Sequence, residues 1–107
     1  MLFRSKFVRS FGAMFRNGAH GMHIQKEGKD EYLYFCDERH GLVTKRTLKG
    51  EEVWKICYPR EANKYSRVGQ FSPTNVAFSP DGGLYVGDGY GSHYIHQYDK
   101  DGKWIRT

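Results

Sequence analysis

The feature that most constrains the fold of this chain is an internal repeat. Residues 21–37 and 75–88 share one pattern, in which an apolar strand, a polar turn and a second strand ending in aspartate follow one another. Each unit continues through a glycine-bearing turn into a third strand, over residues 42–48 and 94–98. A turn containing glycine then leads into a fourth strand. Four short strands joined by hairpin turns make one antiparallel sheet, so the repeat predicts two such sheets.

The composition agrees with this prediction. Phe, Tyr and Trp make up 16% of the 107 residues, and 13 residues are glycine. Aromatic side chains favour pleated, half-buried surfaces, and glycine supplies tight turns. We therefore predict an all-β chain, in which each four-stranded antiparallel sheet is one blade of a β-propeller.

The two ends of the chain also resemble each other. Lys6–Ser10 and Lys103–Thr107 each read basic, aromatic, β-branched, arginine, hydroxyl, and Gly50–Ile56 is a weaker version. We therefore interpret residues 1–18 as the closing strand of a preceding blade. The alternative is that this basic N-terminal segment is a targeting sequence or a membrane-surface helix. The first 26 residues are basic and acid-free, and they carry aromatic residues at helical spacing. The remaining divisions are a first blade over 19–58, an inter-blade loop over 59–70 and a second blade over 71–107.

Charge and cysteine content exclude several classes of function. The net charge is +5, but beyond the N-terminal segment Lys and Arg are scattered among acids, so we expect a solvated basic surface and no nucleic-acid partner. Cys36 and Cys57 lack metal-ligand spacing, and Cys36 lies in an apolar strand, where a buried thiol is expected. No apolar run approaches the roughly 20 residues of a membrane span, and no signal peptide is visible.

Residues 71–88 resemble an NHL repeat. The residues that carry the likeness are the strand Asn75–Phe78, the turn that begins Ser79-Pro80-Asp81-Gly82, and the strand ending at Asp88. The resemblance implies a fragment of a six-bladed β-propeller, with about two four-stranded antiparallel blades plus a closing strand. Such a fragment leaves open blade edges, so we expect either a truncated propeller or self-association of several copies into a ring.

A narrower likeness is to the peptidyl-α-hydroxyglycine amidating lyases, a family of six-bladed propeller enzymes. Ala19-His20-Gly21-Met22 is similar to their Pro-His-Gly-Leu segment, and Asp88-Gly89-Tyr90-Gly91 is similar to their Asp-Gly-Tyr-Cys segment. The two segments lie one blade apart, and the tyrosine is 70 positions after the histidine. By this resemblance His20 is a zinc ligand, Tyr90 the catalytic base, and the backbone carbonyl of Met22 a ligand of a structural calcium ion.

The chain also departs from that family. Ser92 and Tyr94 stand where the pattern has asparagine and arginine, and Gly91 replaces a cysteine. The second and third zinc histidines of the family belong to blades that this chain lacks. Arg39 lies on the loop expected to share a rim with His20, where it is either a clamp for a substrate carboxylate or a surface residue.

The expected function follows from these likenesses. The complete propeller is expected to be a zinc-dependent, lyase-like enzyme that takes a small-molecule or peptide ligand on its loop face, with this chain alone inactive. The alternative is a non-catalytic NHL propeller that binds protein or another ligand. The resemblance favours a secreted or periplasmic location.

Overall fold

The computed structural model describes residues 5–107 and contains two four-stranded antiparallel sheets, which confirms the all-β prediction. In both sheets the strands are neighbours in the order of the sequence. The first sheet comprises β1 (Ala19–Glu27), β2 (Asp30–Asp37), β3 (Leu42–Thr47) and β4 (Glu52–Ile56). The second sheet comprises β5 (Asn75–Phe78), β6 (Leu84–Gly87), β7 (Ile95–Tyr98) and β8 (Trp104–Arg106). The four strands of the first sheet lie within the expected division 19–58, those of the second sheet lie within 71–107, and residues 59–70 connect the two sheets.

Two turns of the second sheet explain why its short strands pair in one register. In the β5–β6 turn, Gly82 has φ +89° and its amide donates to the carbonyl of Ser79 at 3.0 Å. The carboxylate of Asp81 accepts from the Gly83 amide of the same turn, also at 3.0 Å. Gly102 has φ +81° in the β7–β8 turn. Because residues other than glycine rarely adopt this left-handed conformation, the glycines fix where each hairpin reverses.

The core lies between the two sheets. Tyr34 of β2 packs edge-on against Phe78 of β5, with ring centroids 4.6 Å apart. Cys36 is fully buried, as the sequence predicted, and Cys57 is exposed. Alternation along the strands directs one face of each sheet into this core. The buried apolar residues of the cluster are Tyr34, Cys36, Val43, Phe71, Val76, Leu84, Val86 and Tyr98.

The segment that connects the sheets packs into the same core. It contains two 3₁₀ turns, Arg60–Ala62 and Val68–Gln70. Between them Tyr65 packs against Phe71 with ring centroids 5.6 Å apart, and Phe71 is almost completely buried. The connection is therefore a structural part of the sheet-to-sheet packing.

The N-terminal segment covers part of the outer face of the first sheet. A 3₁₀ turn at Ala13–Phe15 brings Phe15 edge-on to Phe35, with ring centroids 4.6 Å apart, and the guanidinium of Arg46 lies 5.0 Å from the Phe15 ring. Residues 5–18 contain no strand. Residues 1–4 of the interpreted closing strand lie outside the described residues, and the assignment of 1–18 to a preceding blade stays a prediction.

One pair of contacts relates this segment to an outer strand. A methyl group added at Gly50, in the β3–β4 turn, would lie 2.5 Å from the Phe11 ring. A methyl group added at Gly102, in the equivalent β7–β8 turn, would lie 3.3 Å from the ring of Trp54 on β4. Phe11 thus packs on the β3–β4 turn of the first sheet in the same way as Trp54 packs on the β7–β8 turn of the second. Within the described part of the chain, no helix has the length and apolar character needed to cross a membrane.

Candidate functional site

His20 lies in a β-bulge near the start of β1. Ala19 pairs with Asp37 and Met22 with Phe35, so β1 takes three steps where β2 takes two. The extra residue is accommodated at His20-Gly21, and a bulge of this kind redirects the side chains it carries. A methyl group at Gly21 would contact the Thr74 carbonyl and lie 2.8 Å from the Asn75 Cα. Glycine therefore allows the bulge to approach the start of β5 closely.

The imidazole of His20 is held by the neighbouring sheet. Its Nδ1 lies 3.0 Å from the carbonyl oxygen of Thr74. Because a carbonyl only accepts, Nδ1 carries a proton, and in the neutral imidazole Nε2 then keeps a lone pair. Histidines that bind metals commonly donate their other ring N–H to a backbone carbonyl in this way. The hydrogen bond thus leaves His20 in a form that can bind a metal through Nε2.

Tyr90 lies beside His20, although the two residues belong to different sheets. Their rings meet edge-to-face, with centroids 5.2 Å apart and an interplanar angle of 85°. Tyr90 comes from the β6–β7 loop, and its backbone amide donates to the Ser72 carbonyl at 3.3 Å. The residue as a whole is 66% exposed. The structure thus brings together the two residues predicted from the sequence, where the start of β1 meets the β6–β7 loop. We call this place the rim.

The loop that carries Tyr90 is fixed by Asp88, which is buried at the end of β6. The two oxygens of its carboxylate accept from the backbone amides of Ser72 at 2.7 Å and Ser92 at 2.8 Å. The Asp88 carbonyl also accepts from the His93 amide at 2.9 Å. A methyl group at Gly91 would contact the Asp88 carboxylate, so this loop conformation leaves no room for the cysteine that the related motif carries there.

A buried hydrogen-bond chain continues from Asp88 into the second sheet. The Tyr65 hydroxyl donates to Asp88 Oδ2 at 2.7 Å and lies 2.7 Å from Nε2 of His96. Since its single proton goes to the carboxylate, the hydroxyl accepts from His96 Nε2–H. His96 Nδ1 then accepts from the Thr107 hydroxyl at 2.9 Å, and that oxygen accepts from the Trp104 indole N–H at 3.0 Å.

Burial governs the ionisation of this chain. It lowers the pKa of His96 below its usual value, although the nearby charge of Asp88 acts in the opposite direction. It also raises the pKa of Tyr65, with help from the hydrogen bond to Asp88. Neither His96 nor Tyr65 belongs to a motif that the sequence reveals. The signal for His96 was the β7 alternation, which places it on the same strand face as the buried Tyr98.

Arg39 lies on the β2–β3 loop at the same end of the first sheet as His20. A methyl group at Gly18 would lie 3.1 Å from the Arg39 Cβ, so Arg39 is next to the segment that leads into His20. The same loop is tied to the second sheet, because the Ser72 hydroxyl donates to the Glu38 carbonyl at 2.6 Å. The Arg39 side chain is exposed, and no ion pair involves it among residues 5–107.

The residues present supply only part of a metal site. Met22 follows the bulge, pairs with Phe35 and is 63% exposed. The calcium role of its carbonyl stays a prediction. No group of three or more His, Cys, Asp or Glu side chains within residues 5–107 is arranged to hold a metal ion. A catalytic zinc takes about three protein ligands. His20 is suited to be one of these, and the described residues do not supply the others.

Comparisons of the chain with protein-family models, with curated proteins and with solved structures give no match.

Proposed function

We propose that this chain forms two blades of an NHL-type six-bladed propeller, whose rim carries part of the active site of a zinc-dependent, lyase-like enzyme. The observation that carries the proposal is the geometry of His20. Its Nδ1–H is donated to Thr74 and its ring lies 5.2 Å from that of Tyr90. This arrangement leaves Nε2 as a ligand atom next to a phenol that can transfer a proton.

Each rim residue has a role in this proposal. His20 contributes one ligand through Nε2, and the remaining ligands come from outside the described residues. Bound zinc would polarise the hydroxyl group of an α-hydroxyglycine-type substrate. Tyr90, held by the Asp88-anchored loop, would accept the proton of that hydroxyl as a phenolate, a form that a nearby zinc ion would favour, and Arg39 would bind the substrate carboxylate. Calcium bound at the Met22 carbonyl is the structural ion of the same proposal.

The proposal is tested by nitrogen-15 NMR of the histidine side chains during titration with zinc. We expect His20 to report the Nδ1–H tautomer before zinc is added, and its Nε2 signal to respond to zinc first. A His20→Ala variant should lose the tightest binding phase. His23→Ala is the matched control, because His23 is an exposed histidine of the same strand whose ring packs on Phe78. An Nε2–H tautomer at His20, or equal responses from all exposed histidines, would refute the zinc role.

A non-catalytic rim that binds a protein or small ligand is the second candidate, and the 66% exposure of Tyr90 favours it. Tyrosine and arginine are enriched among the residues that dominate binding energy, and both Tyr90 and Arg39 are exposed. The two candidates differ at the Tyr90 hydroxyl. In the complete propeller, Tyr90→Phe should abolish the chemistry but preserve binding if Tyr90 is the base, whereas a binding surface needs mainly the ring.

A further inference from the structure

The first sheet has an outward face, turned away from the second sheet, that carries apolar residues in solvent. His23 of β1 packs on Phe78 of the second sheet, so its neighbours Met22 and Ile24 point to the opposite face. Met22 is 63% exposed and Ile24 is 55% exposed, because the N-terminal segment packs only on another part of this face. Across β1 and β2, the pairs that make up the face are Met22 with Phe35 and Ile24 with Leu33.

The internal repeat indicates what this face packs against. In the second sheet, the matching positions pair in the same register, Val76 with Val86 and Phe78 with Leu84. These four side chains belong to the core between the sheets, where the Phe78 ring meets the Tyr34 ring at a centroid distance of 4.6 Å. One face of this kind is therefore already covered inside the chain, and Tyr34 lies in the surface that covers it.

The second sheet presents a copy of that covering surface. Tyr85 aligns with Tyr34 in the repeat, but it lies between the buried Leu84 and Val86 on β6 and therefore points away from the first sheet. Tyr85 is 39% exposed, whereas Tyr34 is 1% exposed. By strand alternation, the other exposed apolar residues on this outward face of the second sheet are Ile95 and Ile105.

Both sides of the sheet-to-sheet contact thus occur a second time, exposed, at opposite ends of the chain. Exposed apolar surface of this kind marks sites of protein association. We propose that the outward face of the first sheet docks on the outward face of the second sheet of another copy of this chain. Ile24 then packs on Tyr85 of the second copy as Phe78 packs on Tyr34 within one chain. Because the two faces differ, the contact is head-to-tail and closes into a ring when the rotation between copies permits.

Ring closure would also bear on the rim, a consequence that rests on the proposed function. The two sheets approach each other most closely at β1, β2 and β5, so repetition of this contact sets the first strands of the sheets around the axis of the ring. With the six blades of the proposed function, three copies close the ring. Three His20 imidazoles, one from each copy, then lie around one axis at the same end, and three is the usual number of protein ligands of a catalytic zinc.

The docking is tested by sedimentation equilibrium of the full chain over a concentration series, in EDTA so that no metal contributes. We expect an assembly of three times the mass of one chain. Ile24→Asp and Tyr85→Asp should each raise the concentration needed for assembly by at least about tenfold, because each buries an unpaired carboxylate in the contact. Val68→Asp is the matched control, since Val68 is 47% exposed on the connection between the sheets and lies on neither outward face.

Mixing the two variants gives the sharper result. Each keeps the face that the other lacks, so equal amounts of Ile24→Asp and Tyr85→Asp should form a one-to-one dimer that grows no further. Should circular dichroism show that either aspartate variant has lost its β-structure, the serine substitution at the same position replaces it. A wild-type chain that stays monomeric, a mixture that does not pair, or an equal effect of Val68→Asp would overturn the proposal.

Zinc added to the assembled chain separates this proposal from the proposed function. One zinc per three chains, lost in His20→Ala, would support both. An assembly that forms in EDTA and then binds no zinc through His20 would support the docking and refute the zinc role of the rim.

Discussion

Replacing His96 with glutamine removes a fully buried imidazole from the second sheet while keeping one donor and one acceptor. In the fold this imidazole faces Tyr65, Asp88 and Thr107, and burial lowers its pKa. In the unfolded chain a histidine has an ordinary pKa of about 6.5. The two states therefore bind protons differently only below about pH 6.5.

The sign and size of the effect follow from that difference. Above about pH 6.5 His96 is neutral in both states and its contribution to stability is complete. As the pH falls, the unfolded chain takes up a proton that the folded chain does not. The free energy of unfolding then decreases by up to about 1.4 kcal/mol per pH unit, until the folded-state pKa is reached. Between pH 7 and pH 5 the loss is at most about 2 kcal/mol.

The assay is urea denaturation of the wild type and of His96→Gln at half-unit steps from pH 7.5 to pH 5, followed by circular dichroism. The variant should be less stable at pH 7, and the gap between the two proteins should narrow as the pH falls. His93→Gln, on an exposed loop position, should leave the slope of the wild type unchanged. Parallel curves for wild type and His96→Gln would show that His96 titrates alike in both states, and the reasoning from burial would be refuted.

Three further substitutions test the packing that holds the rim. Tyr65→Phe should lower the free energy of unfolding by about 2–4 kcal/mol, because it deprives a buried carboxylate and a buried imidazole of their shared partner. The control Tyr94→Phe should lower it by under about 0.5 kcal/mol, and similar losses for the two variants in urea titrations would contradict this reasoning. The double variant Tyr65→Phe/Asp88→Asn should lose less unfolding free energy than the sum of the losses of the two single variants, and strict additivity would show that the two groups are not coupled. Gly21→Ala should lower the free energy of unfolding by about 1–3 kcal/mol in thermal denaturation, because the added methyl group meets the backbone at the start of β5. Gly87→Ala is the control, since the nearest atom to its added methyl group is 4.0 Å away, and equal effects of the two substitutions would refute the close approach.

The strands were predictable because their signals are local. Each of the eight strands expected from the repeat is present, since glycine-bearing turns and short apolar runs depend only on neighbouring residues. The β1–β2 hairpin is longer than expected, reaching Glu27 and Asp30. The polar residues at its tip predicted a turn, but an antiparallel hairpin can keep its backbone hydrogen bonds where its side chains face water.

The site was predictable only in part, because its contacts join residues distant in sequence. Asp37 and Asp88, the aspartates that end the second strand of each repeat unit, both accept from loop amides. His20 and Tyr90 were named only by a family resemblance, and their contact joins β1 of the first sheet to the β6–β7 loop of the second. Tyr65 could not be found in the same way, since it lies in an irregular connection and its partners are 23 and 31 residues away.

The hydrogen-bond chain from Trp104 to Asp88 has a further consequence. An indole N–H can only donate and a carboxylate can only accept, so both ends force every hydroxyl and imidazole proton between them to point the same way. No second proton arrangement competes with the first. His96 is also fully buried, so exchange of its Nε2 proton with heavy water requires a local opening of the second sheet, and the rate of that exchange measures how often the opening occurs.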